Sequence, residues 1–333
     1  MPAQQKALLL QSKQGQLVVG TRDIPTPGAG EVLIKIEATA LNPVDWKVVT
    51  FGIVFEKFPA VLGMDGAGFV DELGDGVTSL VKGDRVLFQG WFDNSHDTFQ
   101  QYAIIPAEFA VKVPNNISID EAASIPSALA TAIIALYNKQ DPARSLGLYP
   151  PWEEGGAGKY AGKSIFILGG ASSVGQYVIQ VARLSGFSPI ITTASLHNAL
   201  LLTSLGATHV IDRKLSHDAL VAEATRIAGG PIEIVYDAIS DADTQNVGYD
   251  VLAPEESDQD YNQMLWAAAE EINRGISLSL YSKLTQLLED GTIKPNPIEV
   301  LPSGLEGIID GLERLKHNLV SGKKLVAHPQ ESL

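Results

Sequence analysis

The 333-residue sequence predicts an α/β protein built from a β-rich, barrel-like domain and a doubly wound parallel sheet. Three observations carry this reading. Roughly the first hundred residues hold short runs rich in Val, Ile and Leu, punctuated by Gly, Pro and Asp. From about residue 165 onward, apolar runs alternate with amphipathic stretches at the spacing of strand-helix units. The first such run meets the first such stretch through a glycine turn, in SIFILGGASSVGQYVIQVAR (164–183).

Taken in order, KALLL, QLVVGTRDI, EVLIKIEATAL, AGFVDEL, DRVLFQG and QQYAIIP read as strands of an antiparallel domain, with TPGAGE, LGDGV and VKGDR as its turns. In 118–138, Ser118 and Glu121 form a capping-box pattern, and Pro126 divides the segment into two helices. Residues 138–162, polar and rich in Gly and Pro, read as a long surface loop. After the glycine turn come SPIITTAS as a second strand, HNALLLTSLG as a helix closed by Gly206, and THVID as a third strand. A helix at ALVAEATRIAGG and a fourth strand at IEIVYDAIS follow. From about 276 the chain reads as a helix, the extended segment PIEVLP, a helix from Leu305 to about Asn318, and the strand KKLVAH.

Composition narrows the function classes. Lys and Arg number 24 against 39 Asp and Glu, a net charge of −15. That balance argues against nucleic acid or an anionic membrane as a partner, since both call for clustered cations. No cysteine is present, which removes disulfides, thiol nucleophiles and thiolate zinc sites, and fits a reducing, cytoplasmic setting. The N-terminal apolar stretch is too short for a secretory signal, and no apolar run reaches the roughly 18 residues of a membrane span.

The glycine turn has the spacing Gly170-Ala-Ser172-Ser173-Val174-Gly175. In a dinucleotide turn the first glycine makes the bend, the second lets backbone approach the pyrophosphate, and the third lets helix pack on strand. Backbone N–H groups at the helix N-terminus then hold the anion. Ser172 stands where the middle glycine is usual, and its hydroxyl can itself donate to phosphate. An ordinary strand-to-helix turn is the alternative. The end of the second strand discriminates between cofactors, because NAD sites place an acid there. No acid occurs from Ile190 to Leu200, whereas Thr193, Ser195, His197 and Asn198 are neutral donors. A carboxylate would repel a 2′-phosphate, so NADPH is expected. Helix capping is the competing account of Ser195 and Asn198.

The barrel half, the glycine turn and the chain order together resemble the medium-chain dehydrogenase/reductases. The likeness is to the zinc-independent quinone-oxidoreductase branch, and within it to fungal trans-acting enoyl reductases of polyketide synthesis. The matching pieces are ALNPVDWK (40–47), FPAVLGMDGAGFV (58–70), VKGDRV (81–86), FQQYAIIP (99–106), AASIPSALATAIIALY (122–137), GGASSVG (169–175), SLGATHVID (204–212), YDAIS (236–240), GLEGIIDGLERL (304–315) and SGKKLV (321–326). The resemblance implies a GroES-like β-barrel domain over 1–128 and 290–333, and a Rossmann-type NADPH-binding domain over 129–289. It also implies reduction of the C=C bond of an α,β-unsaturated carbonyl (an enone, quinone or enoyl thioester) by hydride transfer.

The zinc-dependent branch needs a Cys or similar ligand early and a GHE-like motif later. Here Asp45 and Trp46 occupy the early region, and the later motif reads Gly63-Met64-Asp65, with Met64 in place of the His ligand. Three neutral or thiolate ligands cannot be assembled, so no metal is expected. Something else must then meet charge on the substrate oxygen. NPVDWK supplies the Asn42 amide and the Lys47 cation for that task, with a surface lysine as the alternative for Lys47. Asp45 is read as structural, or as orienting Lys47 by pairing. Thr131 is implied near the nicotinamide or its ribose, or is a helix threonine bonding to its own turn. Arg213 either reaches an adenine-side phosphate or is solvated. Lys324 fits the position that reaches toward the cofactor, or is a strand-surface charge. The side chains of Val174 and Tyr177 are read as packing. Phe51, Phe55, Trp91 and Phe92 suggest an apolar cleft, or core packing.

One region departs from the resemblance. Residues 255–275 are acidic and helix-like where the family has two further strands. The parallel sheet is therefore expected to be incomplete, which leaves an open edge and favours a monomer over a homodimer. A non-catalytic NADPH-binding or structural relative is the alternative function. A subunit acting only on polyketide carrier-bound chains is a third.

Overall fold

The computed structural model describes residues 3–252 and 271–332. Most of the 255–275 segment, and with it the expectation of two replaced strands, lies outside the described residues. Contacts divide the chain into two compact units, Met1–Ser127 with Ala267–Leu333, and Ala128–Trp266.

The chain begins with β1 (Gln4–Leu10), β2 (Leu17–Asp23) and β3 (Glu31–Ala40), then helix α1 (Pro43–Phe51). Strands β4 (Ala60–Val61), β5 (Asp65–Leu73), β6 (Arg85–Gln89), β7 (Tyr102–Pro106) and β8 (Val111–Lys112) follow, then α2 (Ile119–Ala123) and α3 (Pro126–Tyr137). The capping box forms as the sequence predicts: the Glu121 amide donates to Ser118 Oγ at 3.1 Å and the Ser118 amide to Glu121 Oε2 at 2.8 Å. Pro126 separates α2 from α3 as expected, since its ring cannot continue the preceding helix.

The second unit holds β9 (Ile165–Leu168), α4 (Ser173–Ser185), β10 (Ile190–Ala194), α5 (Ala199–Leu205), β11 (His209–Asp212), α6 (His217–Ala228), β12 (Val235–Asp237) and α7 (Ala242–Val251). Its four described strands are parallel, in the order β11-β10-β9-β12. The chain thus winds outward from β9 in one direction and then returns to β9's other edge. That reversal opens a crevice at the carboxyl ends of β9 and β12. Phe166, Leu168, Ile191, Ile211 and Val235 form the core under α6 and α7. The sequence reading has no counterpart for α7, whose start is marked by Asp241 accepting from the Thr244 amide at 2.9 Å.

The chain then returns to the first unit with α8 (Glu271–Glu289), β13 (Ile298–Val300), α9 (Gly304–Lys316) and β14 (Lys324–Ala327). Helix α8, which the sequence reading assigns to the nucleotide half, packs on the first unit. Thr285 Oγ1 donates to the Lys112 carbonyl at 2.8 Å, and Asn116 Nδ2 to the Leu288 carbonyl at 3.0 Å.

The first unit is the expected mostly antiparallel domain, with one difference. Its described strands form two open sheets, β2-β1-β4 and β13-β14-β3-β5-β6-β8 with β7 also on β3, and these do not close into a barrel. Strand β3 is saturated, with β5 on one edge and β7 then β14 on the other. Strand β1 meets that sheet through a single bridge, Ala7 to Gln100.

One helical stretch, 119–137, is long and apolar enough to cross a membrane, against the expectation that none would be. It is interrupted before Pro126, and 67% of its most apolar window is buried inside the protein.

In the second unit α3 is anchored to α4 by Tyr137, whose hydroxyl lies 2.7 Å from Ser185 Oγ, both groups buried. Tyr137→Phe removes the bond while keeping the ring, and leaves Ser185 short of a partner. The expected loss is roughly 1–3 kcal/mol, read from urea unfolding. An unchanged midpoint would show that the bond contributes nothing.

Candidate active site

Strands β14, β3 and β5 lie side by side, and Ala40 near the end of β3 faces both Val326 and Asp65. This register delivers Lys324, Asp65 and Asn42, which follows β3, to one point. Lys324 Nζ lies 2.8 Å from Asp65 Oδ2 and donates to Asn42 Oδ1 at 2.6 Å. Asn42 Nδ2 donates to Asp65 Oδ2 at 2.8 Å, closing a triangle. The other Asp65 oxygen accepts from the Ser127 amide at 2.6 Å. The pair is buried, with side-chain exposures of 3% for Lys324 and 0% for Asp65. Sequence reasoning named Asn42 and Lys324 but not Asp65 as a partner for them. Its signal was the GMD motif, where an acid follows the position of the missing His.

Asn42 also caps α1. Its backbone amide donates to Asp45 Oδ2 at 2.7 Å. Asp45 is therefore bound to the start of its own helix and not to Lys47. Burial drives the Asp45 carboxyl up to about 7, with the Asp65 charge adding to the shift, while the Asn42 and Gly63 amides and Lys324 oppose it. Burial likewise raises Asp97 well above the usual carboxylate range, and Asp45 contributes to that shift. The Lys47 ammonium lies 5.9 Å from the Trp46 ring centroid.

The aromatic residues named from the sequence pack largely together. Phe55 meets Phe92 edge-on at 6.2 Å, Trp91 meets Phe109 at 6.3 Å, and Phe51 lies 6.0 Å from Trp46 with over half of its surface exposed. A cavity of ≈ 290 Å³ lies elsewhere in this unit, lined by Leu17, Trp46, Val49 and Leu312 among others.

In the second unit, the glycine turn is built at the carboxyl end of β9. Gly169 takes a positive φ of 79°. A Cβ on Gly170 would lie 2.1 Å from Thr192 Oγ1, and one on Gly175 would lie 2.3 Å from the Gly169 carbonyl oxygen. Both positions need glycine. Ser172 is the N-cap of α4, accepting from the Gly175 amide at 3.0 Å, which leaves its own O–H to donate outward. Ser173 and Val174 form the first turn of α4, with both side chains partly exposed, while Tyr177 is buried as expected. Thr193 supports the turn: its Oγ1 accepts from the Gly169 amide at 3.0 Å, and its carbonyl accepts from the Gly170 amide at 3.0 Å.

Beyond β10 and β11, Arg213 Nε donates to Ser195 Oγ at 2.9 Å, and the Arg213 amide to the Ala194 carbonyl at 3.0 Å. Sequence reasoning named both residues without pairing them. Asn198 is buried just past Ser195, whose carbonyl accepts from the Asn198 amide at 2.9 Å. Thr131 lies on α3, and its carbonyl accepts from the Tyr236 hydroxyl at 3.3 Å.

Two predictions follow from the buried charges. Lys324→Met leaves Asp65 uncompensated and is expected to cost about 3–5 kcal/mol, measured by chemical denaturation. Adding Asp65→Asn should recover part of that loss, and a strictly additive double variant would show that the two do not interact. Asp45 binds its proton more tightly in the folded than in the unfolded chain. The folded state therefore holds the extra proton between the ordinary carboxylate range and about pH 7, so stability falls as pH rises through that window. Asp45→Asn keeps an acceptor for the Asn42 amide and should flatten this part of a stability-versus-pH curve. A curve identical to that of the parent would refute the assignment.

Comparison with known proteins matches this framework. The Alcohol dehydrogenase GroES-like domain family covers residues 28–115 and the Zinc-binding dehydrogenase family residues 173–257. The chain is 32% identical to the dehydrogenase azaJ of Aspergillus niger, over 96% of this chain and 97% of that one. It is 28% identical to the trans-enoyl reductase grgB of a Penicillium species, over 98% of both chains. In fold it is similar to human synaptic vesicle membrane protein VAT-1 homolog-like protein, with TM-score 0.77, 24% identity and 98% of each chain covered. It is also similar in fold to a mycobacterial quinone oxidoreductase, with TM-score 0.71 and 22% identity, over 98% of this chain and all of that one. The zinc named by the second family does not suit the donors present at the Asp65 cluster. These are an amide, one carboxylate and an ammonium that already supplies the positive charge. The open-sheet domain, the parallel sheet with its glycine turn and the full-length kinship to dehydrogenases and trans-enoyl reductases give one conclusion: the chain belongs to the medium-chain dehydrogenase/reductase superfamily, in its enoyl reductase-like branch.

Proposed function

We propose that the protein is an NADPH-dependent reductase of the C=C bond of an α,β-unsaturated carbonyl, acting without zinc. The observation that carries this reading is the buried Lys324–Asp65–Asn42 triangle, which sets a fixed cation at the motif where zinc-dependent relatives place a metal ligand. The kinship to trans-enoyl reductases supports an enoyl substrate, either free or as a thioester on a polyketide carrier.

A bound nicotinamide would supply the hydride. The residues that suit the dinucleotide lie in the second unit. Gly170 and Gly175 let the turn close against Thr192 and the Gly169 carbonyl, and Ser172, Ser173 and Val174 form the helix start that suits a pyrophosphate. Arg213 and Ser195, joined at the ends of adjacent strands, suit a 2′-phosphate, with Asn198 beside them and Thr193 bracing the turn. Thr131 is assigned to the nicotinamide ribose. On the substrate side, Lys324 stabilises negative charge developing on the carbonyl oxygen. Asn42 fixes the ammonium in place, because both ends of its amide are already engaged. Lys47 is the second cation of this side.

Fluorescence titration tests the cofactor assignment. The parent should bind NADPH at least roughly tenfold tighter than NADH, or about 1.4 kcal/mol. Arg213→Gln should erase that preference by weakening NADPH alone. Equal weakening of both cofactors would sink the 2′-phosphate assignment. No saturable binding of either by the parent would favour the non-catalytic alternative.

A further inference from the structure

Helix α9 lacks a cap of its own. Ser303 stands at the cap position with a left-handed φ of 68°, and its side chain makes no cap bond. The cap comes from the C-terminal segment instead: the Leu305 amide donates to Ser332 Oγ at 2.8 Å. The fit is close, since a Cβ on Gly304 would lie 2.6 Å from that oxygen and 3.1 Å from the His328 carbonyl oxygen. Residues 328–332 follow directly from β14 and are tied to β3 as well. Gln330 Nε2 donates to the Ile36 carbonyl at 2.9 Å and to the Gln101 carbonyl at 2.8 Å. The segment therefore straps together α9, β3 and the strand that carries Lys324. Beneath it, α9 shares a core with Leu41 and Leu325, the sequence neighbours of Asn42 and Lys324.

His328 fastens this strap to α2. Its Nε2 lies 2.9 Å from Asp120 Oδ1, and its Nδ1 lies 3.1 Å from Glu331 Oε1. Ionised carboxylates only accept, and a neutral imidazole has one N–H. Both bonds exist together only when the ring carries both protons. Partial burial opposes that charge, but the hydrogen bonds and charges of Glu331 and Asp120 outweigh it and hold His328 above its ordinary range. The other charged groups of the packed elements are committed elsewhere or face solvent. Lys35 and Glu37 on β3 pair with each other at 2.9 Å, Glu121 caps α2 at Ser118, and Glu306 in the first turn of α9 is exposed.

We propose that the doubly protonated His328 ring is a pH-gated fastener for the C-terminal segment. Below the ordinary histidine range the ring bridges Asp120 and Glu331, and the segment is seated on α2, β3 and α9. Because the folded-state proton affinity exceeds the unfolded one, this contribution to stability is complete there and is lost as pH rises through the folded-state value. The ring then gives up one proton, one bond goes, and a lone pair faces a carboxylate. The neutral bonds of Gln330 and Ser332 remain, so the segment loosens while the sheet stays folded. This inference is independent of the reductase reading.

The test uses a single cysteine appended after residue 333, in a sequence with none of its own. It carries a fluorophore whose anisotropy reports how firmly the segment is held. From about pH 5 to about pH 9, a range that spans histidine titration, anisotropy should fall in one step. NMR titration of the His328 ring in the unlabelled parent should give the same midpoint, above the unperturbed value of about 6.5. His328→Gln keeps a neutral donor and should abolish the step, with low anisotropy throughout. Asp120→Asn and Glu331→Gln should each move the ring midpoint down. A ring midpoint at or below the unperturbed value would overturn the proposal. So would a raised midpoint with no anisotropy step, or a step that survives in His328→Gln. The ring titration decides the charge state in the parent itself, whatever a substitution does to folding.

Discussion

The buried pair between Lys324 and Asp65 is the constraint on which the first unit's chemistry depends. Removing two charges from water is costly, and their attraction offsets that cost only when geometry is good and every remaining donor and acceptor is engaged. Here Asn42 bridges both partners and the Ser127 amide takes the second Asp65 oxygen. The pair joins β14, the end of β3 and the start of β5, so the sheet's register and the site's electrostatics are one feature.

Neighbouring acids share in the consequences. Asp45 and Asp97 are buried in the same unit; burial raises both, Asp45 adds to the shift at Asp97, Asp65 adds to the shift at Asp45, and Lys324 opposes the latter. A fixed ammonium thus limits how far local burial drives the carboxyls toward neutrality. The same low-dielectric setting that makes these groups expensive makes any hydrogen bond to a developing oxyanion stronger.

In the second unit, residues of one chemical kind are divided among different tasks by their place on the sheet. Thr193 and Ser172 spend acceptor capacity on the glycine turn and the helix start, so their hydroxyls hold backbone first. Ser195, one residue past the strand, has no such duty and meets Arg213. The absence of an acid on that strand was legible in the sequence. The pairing of Ser195 with Arg213 was not, because Arg213 follows the next strand.

What the sequence determined by itself is whatever short-range chemistry governs: apolar runs that became strands, Pro126 as a helix break, Ser118 and Glu121 as a cap, glycines at a turn where a Cβ would collide. Each is decided within a few residues by sterics or a local hydrogen bond. Tertiary structure decided what each polar side chain meets. Lys324 and Asn42 are 282 residues apart, Asp45 turned to its own helix and away from Lys47, and the open β-sheets replaced a barrel once β3 was paired on both edges. Helix α8 joined the first unit and set the Tyr281 ring edge-on to Phe109, a contact that helical periodicity cannot reveal. Burial and long-range pairing depend on strand register, and register is set by the packing of the whole sheet rather than by any one segment.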